Sequence, residues 1–222
     1  MKKEMTEIEL RELEKQLGCP SGEMGIELGG NMHETNIGMT LNTIEFLDLQ
    51  GGSSVLELGH GNCGHLENLL EAASNLSYHG LEISNLMHEE AQRLNQKAIA
   101  GHKVDFKLYD GENIPFPENH FDRIMTVNTI YFWQNPKRLI NEIGRRLKPD
   151  GYFVITFAQK DFMKNLPFVG QNFTLYNKED IEKLVEGSDM KIIGYCDRTE
   201  EVKSKAGDSV ERFYSMVKLS RK

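Results

Sequence analysis

VLELGHGNCGHL, residues 55–66, decides the fold. Val55, Leu56 and Leu58 make a short apolar strand, and Leu66, Leu69, Leu70 and Ala73 then recur at the spacing of one helix face. Between them Gly59, Gly61 and Gly64 form a GxGxxG turn. Glycine tolerates positive φ and carries no side chain, so such a turn lets a ligand approach the backbone at the start of a helix. A tight strand-to-helix turn that binds nothing would satisfy the same pattern.

Toward the C-terminus the alternation of strand and helix continues. A second strand is expected from Leu76 to Glu82, and Ser84 can cap a helix whose Met87, Ala91 and Leu94 share a face. Val104, Phe106 and Leu108 mark a third strand, and Ile124, Met125 and Val127 a fourth. Asn135-Pro136 starts a helix carrying Ile140, Ile143 and Leu147, which Pro149 and Gly151 end. A fifth strand runs from Tyr152 to Phe157, followed by a segment with Phe162, Phe168 and Phe173. Asn177 and Asp180 open a helix with Ile181, Leu184 and Val185. Two strand-like runs, Lys191 to Cys196 and Arg212 to Leu219, close the chain as an antiparallel hairpin through the polar KSKAGDS stretch.

Toward the N-terminus, Leu10, Leu13 and Leu17 predict a helix. LGCPSGEMGIELGGNMHETN, residues 17–36, is expected to be irregular or broken into short turns, and a second helix is expected from Met39 to Leu49, stopped by Gly51 and Gly52. Residues 1–50 therefore read as a helical cap or lid, and 51–222 as the binding domain.

The chain's 222 residues suit one α/β domain with an added segment. Repeated strand–helix units predict a doubly wound, mostly parallel sheet, whose ligands bind outside the carboxyl ends of the strands. A net charge of −8 disfavours a polynucleotide substrate. Arg145, Arg146 and Lys148 form the one tight basic cluster, at a helix end where cations suit the dipole. No apolar run nears the roughly 18 residues of a membrane span, and the opening MKKEMTEIELRELEKQ has no secretory core, so a cytoplasmic protein is expected. Cys19, Cys63 and Cys196 show no paired ligand spacing and the histidines no HExxH, so no metal is expected.

Glu82 ends the second strand about 20 residues past the glycine turn, where an acceptor-only carboxylate can bind two ribose hydroxyls. Turn and acid together suggest an adenosine-containing cofactor, without separating a nicotinamide from S-adenosylmethionine.

VLELGHGNCGHL resembles the first motif of class I S-adenosylmethionine-dependent methyltransferases, with Glu57 as the acid two positions before the first glycine. LYDGENIPFPENHFDRIMTVNTIYFW and RRLKPDGYFVITF resemble the family's later segments in order and spacing. Within the family the chain is most similar to small-molecule methyltransferases, including those of quinone biosynthesis. The family often has glycine where Cys63 stands, with Gly64 one place later, which leaves the loop's contacts open. The resemblance implies a Rossmann-like doubly wound seven-stranded sheet with the last strand antiparallel, plus an N-terminal helical lid. It implies S-adenosyl-L-methionine as cofactor, held by Glu57, Gly59, His60, Gly61, Glu82 with its neighbour Ile83, Asp110 facing the adenine, Gly111 and Asn128.

The expected reaction is in-line methyl transfer, which needs alignment more than a catalytic triad. Met24 to Met39 and Phe162 to Phe173 are expected to wall in a small, partly apolar methyl acceptor. His33 is the candidate base, because histidine titrates near neutral pH; a surface or capping histidine is the plainer reading. Tyr131 is the second catalytic candidate, in an aromatic group with Phe132 and Trp133 that could face the sulfonium or simply fill the core. NTIYFW is not the NPPY of nucleobase methylation. A homodimer stays open, since an apolar helix face can be buried internally or between two chains. A non-catalytic binder of the cofactor and a NAD-dependent dehydrogenase remain the alternatives.

Overall fold

The computed structural model describes residues 5–101, 103–203 and 209–222. In chain order the elements are α1 (Glu7–Gly18), α2 (Gly22–Phe46), β1 (Ser54–Leu58), α3 (Leu66–Glu71), β2 (Ser77–Glu82), α4 (Asn85–Leu94), α5 (Gln96–Ala100), β3 (Val104–Leu108) and β4 (Phe121–Val127). They continue with a 3-10 turn (Ile130–Phe132), α6 (Pro136–Arg146), β5 (Leu147–Ala158), α7 (Lys160–Met163), α8 (Lys178–Val185), β6 (Met190–Lys203) and β7 (Ser209–Arg221).

Seven strands form one sheet in the order β3-β2-β1-β4-β5-β7-β6. The first five are mutually parallel, and β7 inserts antiparallel between β5 and β6. The order reverses at β1, so the turn after β1 and the segment after β4 flank one crevice at the carboxyl rim.

Alternate strand residues supply two cores, as the two-residue period of a strand requires. Leu56, Leu58, Phe153 and Ile155 face α6 and α8 through Ile140, Ile143 and Ile181. Val55, Tyr78, Met125 and Val154 face Met39 and Ile44 of α2 and Leu66 and Leu69 of α3. Glu57 shares the second face, because β1 alternates and Glu57 pairs with Gly80 in the β1–β2 register.

The N-terminal expectation fails in one respect. Of the glycine-rich stretch only Cys19, Pro20 and Ser21 break the helices: from Gly22 it joins the helix expected from Met39 to Leu49 in the single helix α2, which ends at Phe46. Each glycine costs a helix about 1 kcal/mol relative to alanine, and here tertiary packing offsets that cost. A Cβ at Gly25 would come within 2.7 Å of Leu86, and one at Gly29 within 2.6 Å of Met87, so the bare face lets α4 approach closely. The second half of α2 is bonded to the sheet: Thr43 Oγ1 lies 2.6 Å from Thr156 Oγ1, and Asn42 Nδ2 donates to the Tyr214 hydroxyl at 2.8 Å. The boundary expected at residue 50 thus follows a helix that shares the core.

At the other end, β6 and β7 run longer than expected and pair from Met190↔Arg221 to Lys203↔Ser209. Residues 204–208 of the expected KSKAGDS turn lie outside the described residues. Strand β5 begins at Leu147 and includes Pro149 and Gly151, where only a helix end was expected. Among the described residues no helix is long and apolar enough to cross a membrane.

Candidate functional site

The glycine turn leaves β1 through Gly59 and Gly61, at φ +71° and +57°. A Cβ at Gly59 would overlap the methyl of Thr129, so no other residue fits the crossing of this turn with the segment after β4. The turn, the end of β2, the loop after β3, the end of β4 and the first half of α2 enclose a cavity of about 270 Å³.

Glu82 sits on the cavity floor, 5% exposed. Its carboxylate accepts from the backbone N–H of Gly61 at 3.0 Å, Ile83 at 2.8 Å and Ser84 at 2.9 Å. Burial pushes its pKa up and those three donors pull it back, leaving it above the ordinary value. Ile83 is 41% exposed and offers a flat apolar face to the same cavity, with the Gly111 backbone (φ +83°) opposite its Cγ2. Asp110 stands at the rim and folds back on its own loop. Its Oδ1 accepts from the N–H of Asn113 at 2.7 Å and of Glu112 at 2.9 Å, which holds the carboxyl down at about 2.

Glu57 lines the inner end of the cavity but gives its carboxylate to its neighbours. Oε2 accepts from His65 Nε2 at 2.8 Å and from the Tyr78 hydroxyl at 2.6 Å, and the thiol of Cys63 lies 3.2 Å from that hydroxyl. Burial opposes charge on both Glu57 and His65. Their mutual attraction and hydrogen bond outweigh it, holding Glu57 below and His65 above their ordinary values. His60 packs on Phe106 at 4.9 Å between ring centroids, and its Nδ1–H donates to the Gly61 carbonyl at 2.7 Å. Among the described residues its Nε2 has no partner, and burial pushes its pKa down to about 4.

Asn128 closes the β4 end with φ +57°, a conformation asparagine tolerates. Its Nδ2 donates to Asn36 Oδ1 at 3.1 Å, and the same oxygen accepts from Arg212 Nη1 at 2.8 Å. Arg212 also donates to Thr35 O and to Glu200 Oε1, each at 2.6 Å, so the β6–β7 hairpin grips α2 where it roofs the cavity.

His33 faces the cavity from α2. A Cβ on Gly64 would come within 2.9 Å of its ring, which lies 6.4 Å from that of His65. Burial, then the charge on His65, pushes its pKa below 6.5 against the pull of Glu34. Phe132 and Trp133 are partly buried against the core and also line the cavity.

Tyr131 is not brought to the cavity. It is 3% exposed, its hydroxyl donates to Asn128 Oδ1 at 2.8 Å, and it accepts from the N–H of Ala158 at 2.6 Å. Burial pushes its pKa well up, so it props Asn128 from behind the wall rather than meeting a ligand. Sequence reasoning missed His65 and Tyr109, which line the cavity, and Tyr78, which bonds to Glu57 from behind it. For Tyr78 the signal was present, since it shares a strand face with Glu82 four residues on.

These features agree with the comparisons to known proteins. A methyltransferase domain model matches residues 56–155. The uncharacterized methyltransferase YdaC of Bacillus subtilis is 30% identical over 127 residues, 55% of this chain and 66% of that protein. A phthiotriol/phenolphthiotriol dimycocerosates methyltransferase of Mycobacterium tuberculosis is 28% identical over 134 residues, 60% of this chain and 48% of that one. The chain thus spans about half to two-thirds of the length of these two relatives. The crystal structure of a SAM dependent methyltransferase from Aquifex aeolicus superposes over 93% of this chain and 98% of its own, with a TM-score of 0.59 at 20% identity. With the domain match running from the first strand to the fifth, the chain belongs to the class I S-adenosylmethionine-dependent methyltransferase family.

Proposed function

We propose that this chain transfers a methyl group from S-adenosylmethionine to a small, partly apolar acceptor held between the carboxyl rim of the sheet and α2. The observation that carries this reading is the cavity itself. A turn that only glycine can make and a buried, N–H-held carboxylate lie on its floor, and a histidine faces them from its roof. The residues fit the cofactor: Glu82 suits the ribose hydroxyls, Ile83 and Gly111 the faces of the adenine, and Gly59 and Gly61 a close backbone approach. Bound there, the cofactor supplies a methyl group on a positively charged sulfur.

The protein's own part is to align, to exclude water and to take a proton. Met32, Met87, Phe132 and Trp133 supply apolar wall for an acceptor. His33 acts as the base, because a pKa below 6.5 leaves its imidazole neutral and able to accept a proton at pH 7. An acceptor that must lose a proton therefore suits this site. The stretch of α2 from Met24 to Met39 serves as the lid, and a cytoplasmic setting agrees with the reading. The Phe162–Phe173 segment, expected as the other wall, instead packs behind Phe132 through Phe173 and does not line the cavity.

Calorimetric titration with S-adenosylmethionine, S-adenosylhomocysteine and NAD in parallel tests it. Micromolar binding of the first two and none of NAD is expected. Binding of NAD alone would overturn the reading in favour of a dehydrogenase. Tight binding of the first two, with no turnover across a panel of phenol, thiol, amine and carboxylate acceptors, would leave a cofactor-binding protein without catalysis.

A further inference from the structure

Behind the glycine turn, side chains without any familiar ligand spacing in the sequence come together. Glu57, Cys63 and His65 are all buried, and each brings one donor atom to within 4.8 Å of the other two. Thiolate, imidazole and carboxylate are the donors that zinc takes. The Tyr78 hydroxyl lies beside two of them, 2.6 Å from Glu57 Oε2 and 3.2 Å from Cys63 Sγ.

In the structure, protons join these groups. His65 Nε2–H and the Tyr78 O–H both donate to Glu57, which leaves the Cys63 S–H to donate to the tyrosine oxygen. A tetrahedral ion with bonds of roughly 2.0–2.3 Å sets its donors roughly 3.3–3.7 Å apart. The tightest heteroatom pair on the imidazole, His65 to Glu57 at 2.8 Å, would open by about half an ångström to admit one.

Charge also balances. One thiolate and one carboxylate neutralise a divalent ion, and a buried charge is tolerated when it is paired in this way. The backbone holds the thiol inward at a cost: Cys63 has φ +50°, a conformation unfavourable for a residue with a Cβ. Its side chain is fully buried there, on the side of the turn away from solvent.

We propose that Glu57, Cys63 and His65, with the Tyr78 hydroxyl as a neutral fourth donor, form a closed structural zinc site that pins the glycine turn from behind. Metal binding displaces the thiol proton of Cys63 to solvent and frees His65 Nε2 of its proton, leaving the ring a neutral imidazole protonated on Nδ1, with no change of oxidation state.

The test uses the full chain, reduced and stripped of metal, titrated with cobalt(II) as a spectroscopic stand-in and then with zinc. One equivalent of cobalt should give a thiolate-to-cobalt charge-transfer band with the intense visible bands of a tetrahedral ion, and zinc should bleach both. The charge-transfer band should vanish in Cys63→Ser and persist in Cys19→Ser and Cys196→Ser. If Cys63→Ser proves unfolded by circular dichroism, His65→Gln decides, and it should weaken cobalt binding at least tenfold. A wild-type chain with no charge-transfer band overturns the site, as does a band lost with Cys19 or unmoved by His65→Gln. The readout does not involve S-adenosylmethionine, so its failure leaves the methyltransferase reading untouched.

Discussion

Two glycine-rich stretches face each other across the cavity, and they use glycine for opposite reasons. In residues 59–64 glycine permits a backbone that other residues resist: Gly59 and Gly61 have positive φ, and the space a Cβ would need at Gly59 belongs to Thr129. In α2 the glycines from Gly25 to Gly38 are ordinary helical residues, and what matters is the missing side chain. Gly25 and Gly29 let α4 close in, and at Gly38 the carboxylate of Glu200 takes the place a Cβ would fill. Composition alone does not separate the two uses. The first follows a strand and shapes a turn, whereas the second continues a helix that tertiary contacts hold together.

The sharpest test of this contrast is the same substitution on both sides. Gly59→Ala should destabilise the fold by roughly 4 kcal/mol, the sum of an unfavourable backbone and an overpacked contact, read as a fall in the urea midpoint. A change below about 1 kcal/mol would mean that the turn is not held as described.

Next in size is the pH response of the floor. His60 is neutral in the fold down to about 4, whereas the unfolded chain takes up its proton near 6.5. The unfolded state therefore binds more protons between those values. Stability present above pH 6.5 falls by about 3 kcal/mol as pH drops to about 4. His60→Asn should remove that part of the slope in denaturation curves taken across this range, and an unchanged slope would place His60 in contact with solvent.

Glu82→Ala should weaken S-adenosylmethionine binding by about 2 kcal/mol, roughly thirtyfold by calorimetry, since it leaves the buried ribose hydroxyls without their acceptor. Equal affinity would remove Glu82 from the ribose. The smallest effect belongs to the roof and has the opposite sign. Nothing lies within 4 Å of a Cβ built at Gly30, so Gly30→Ala should raise stability by about 0.5–1 kcal/mol and the melting temperature with it. A loss of stability there would show that the first half of α2 is not a standing helix.

The contrast also explains what was legible in the sequence. The strand–turn–helix around Gly59, the acid at Glu82 and the succession of the first five strands along the chain are local patterns, and local patterns can be read. The helicity of α2 was not, because the contacts of Gly25 and Gly29 with Leu86 and Met87 come from residues about sixty positions away. Tyr131 misled for a related reason. Its place after β4 puts it beside the cavity in sequence, but the 3-10 turn directs its hydroxyl to Ala158 and Asn128. His33 fell in a segment read as irregular, and only the helix shows which way it faces.

The grip of Arg212 on Asn36 joins residues 176 positions apart, and Asn36 in turn holds Asn128. The roof helix therefore leaves the ribosome 176 residues ahead of the arginine that latches it. Contacts of such long sequence separation form late and slowly. During synthesis the crevice stands open to water until β7 threads between β5 and β6, so a truncated or stalled chain would carry the whole glycine turn and still lack a finished pocket.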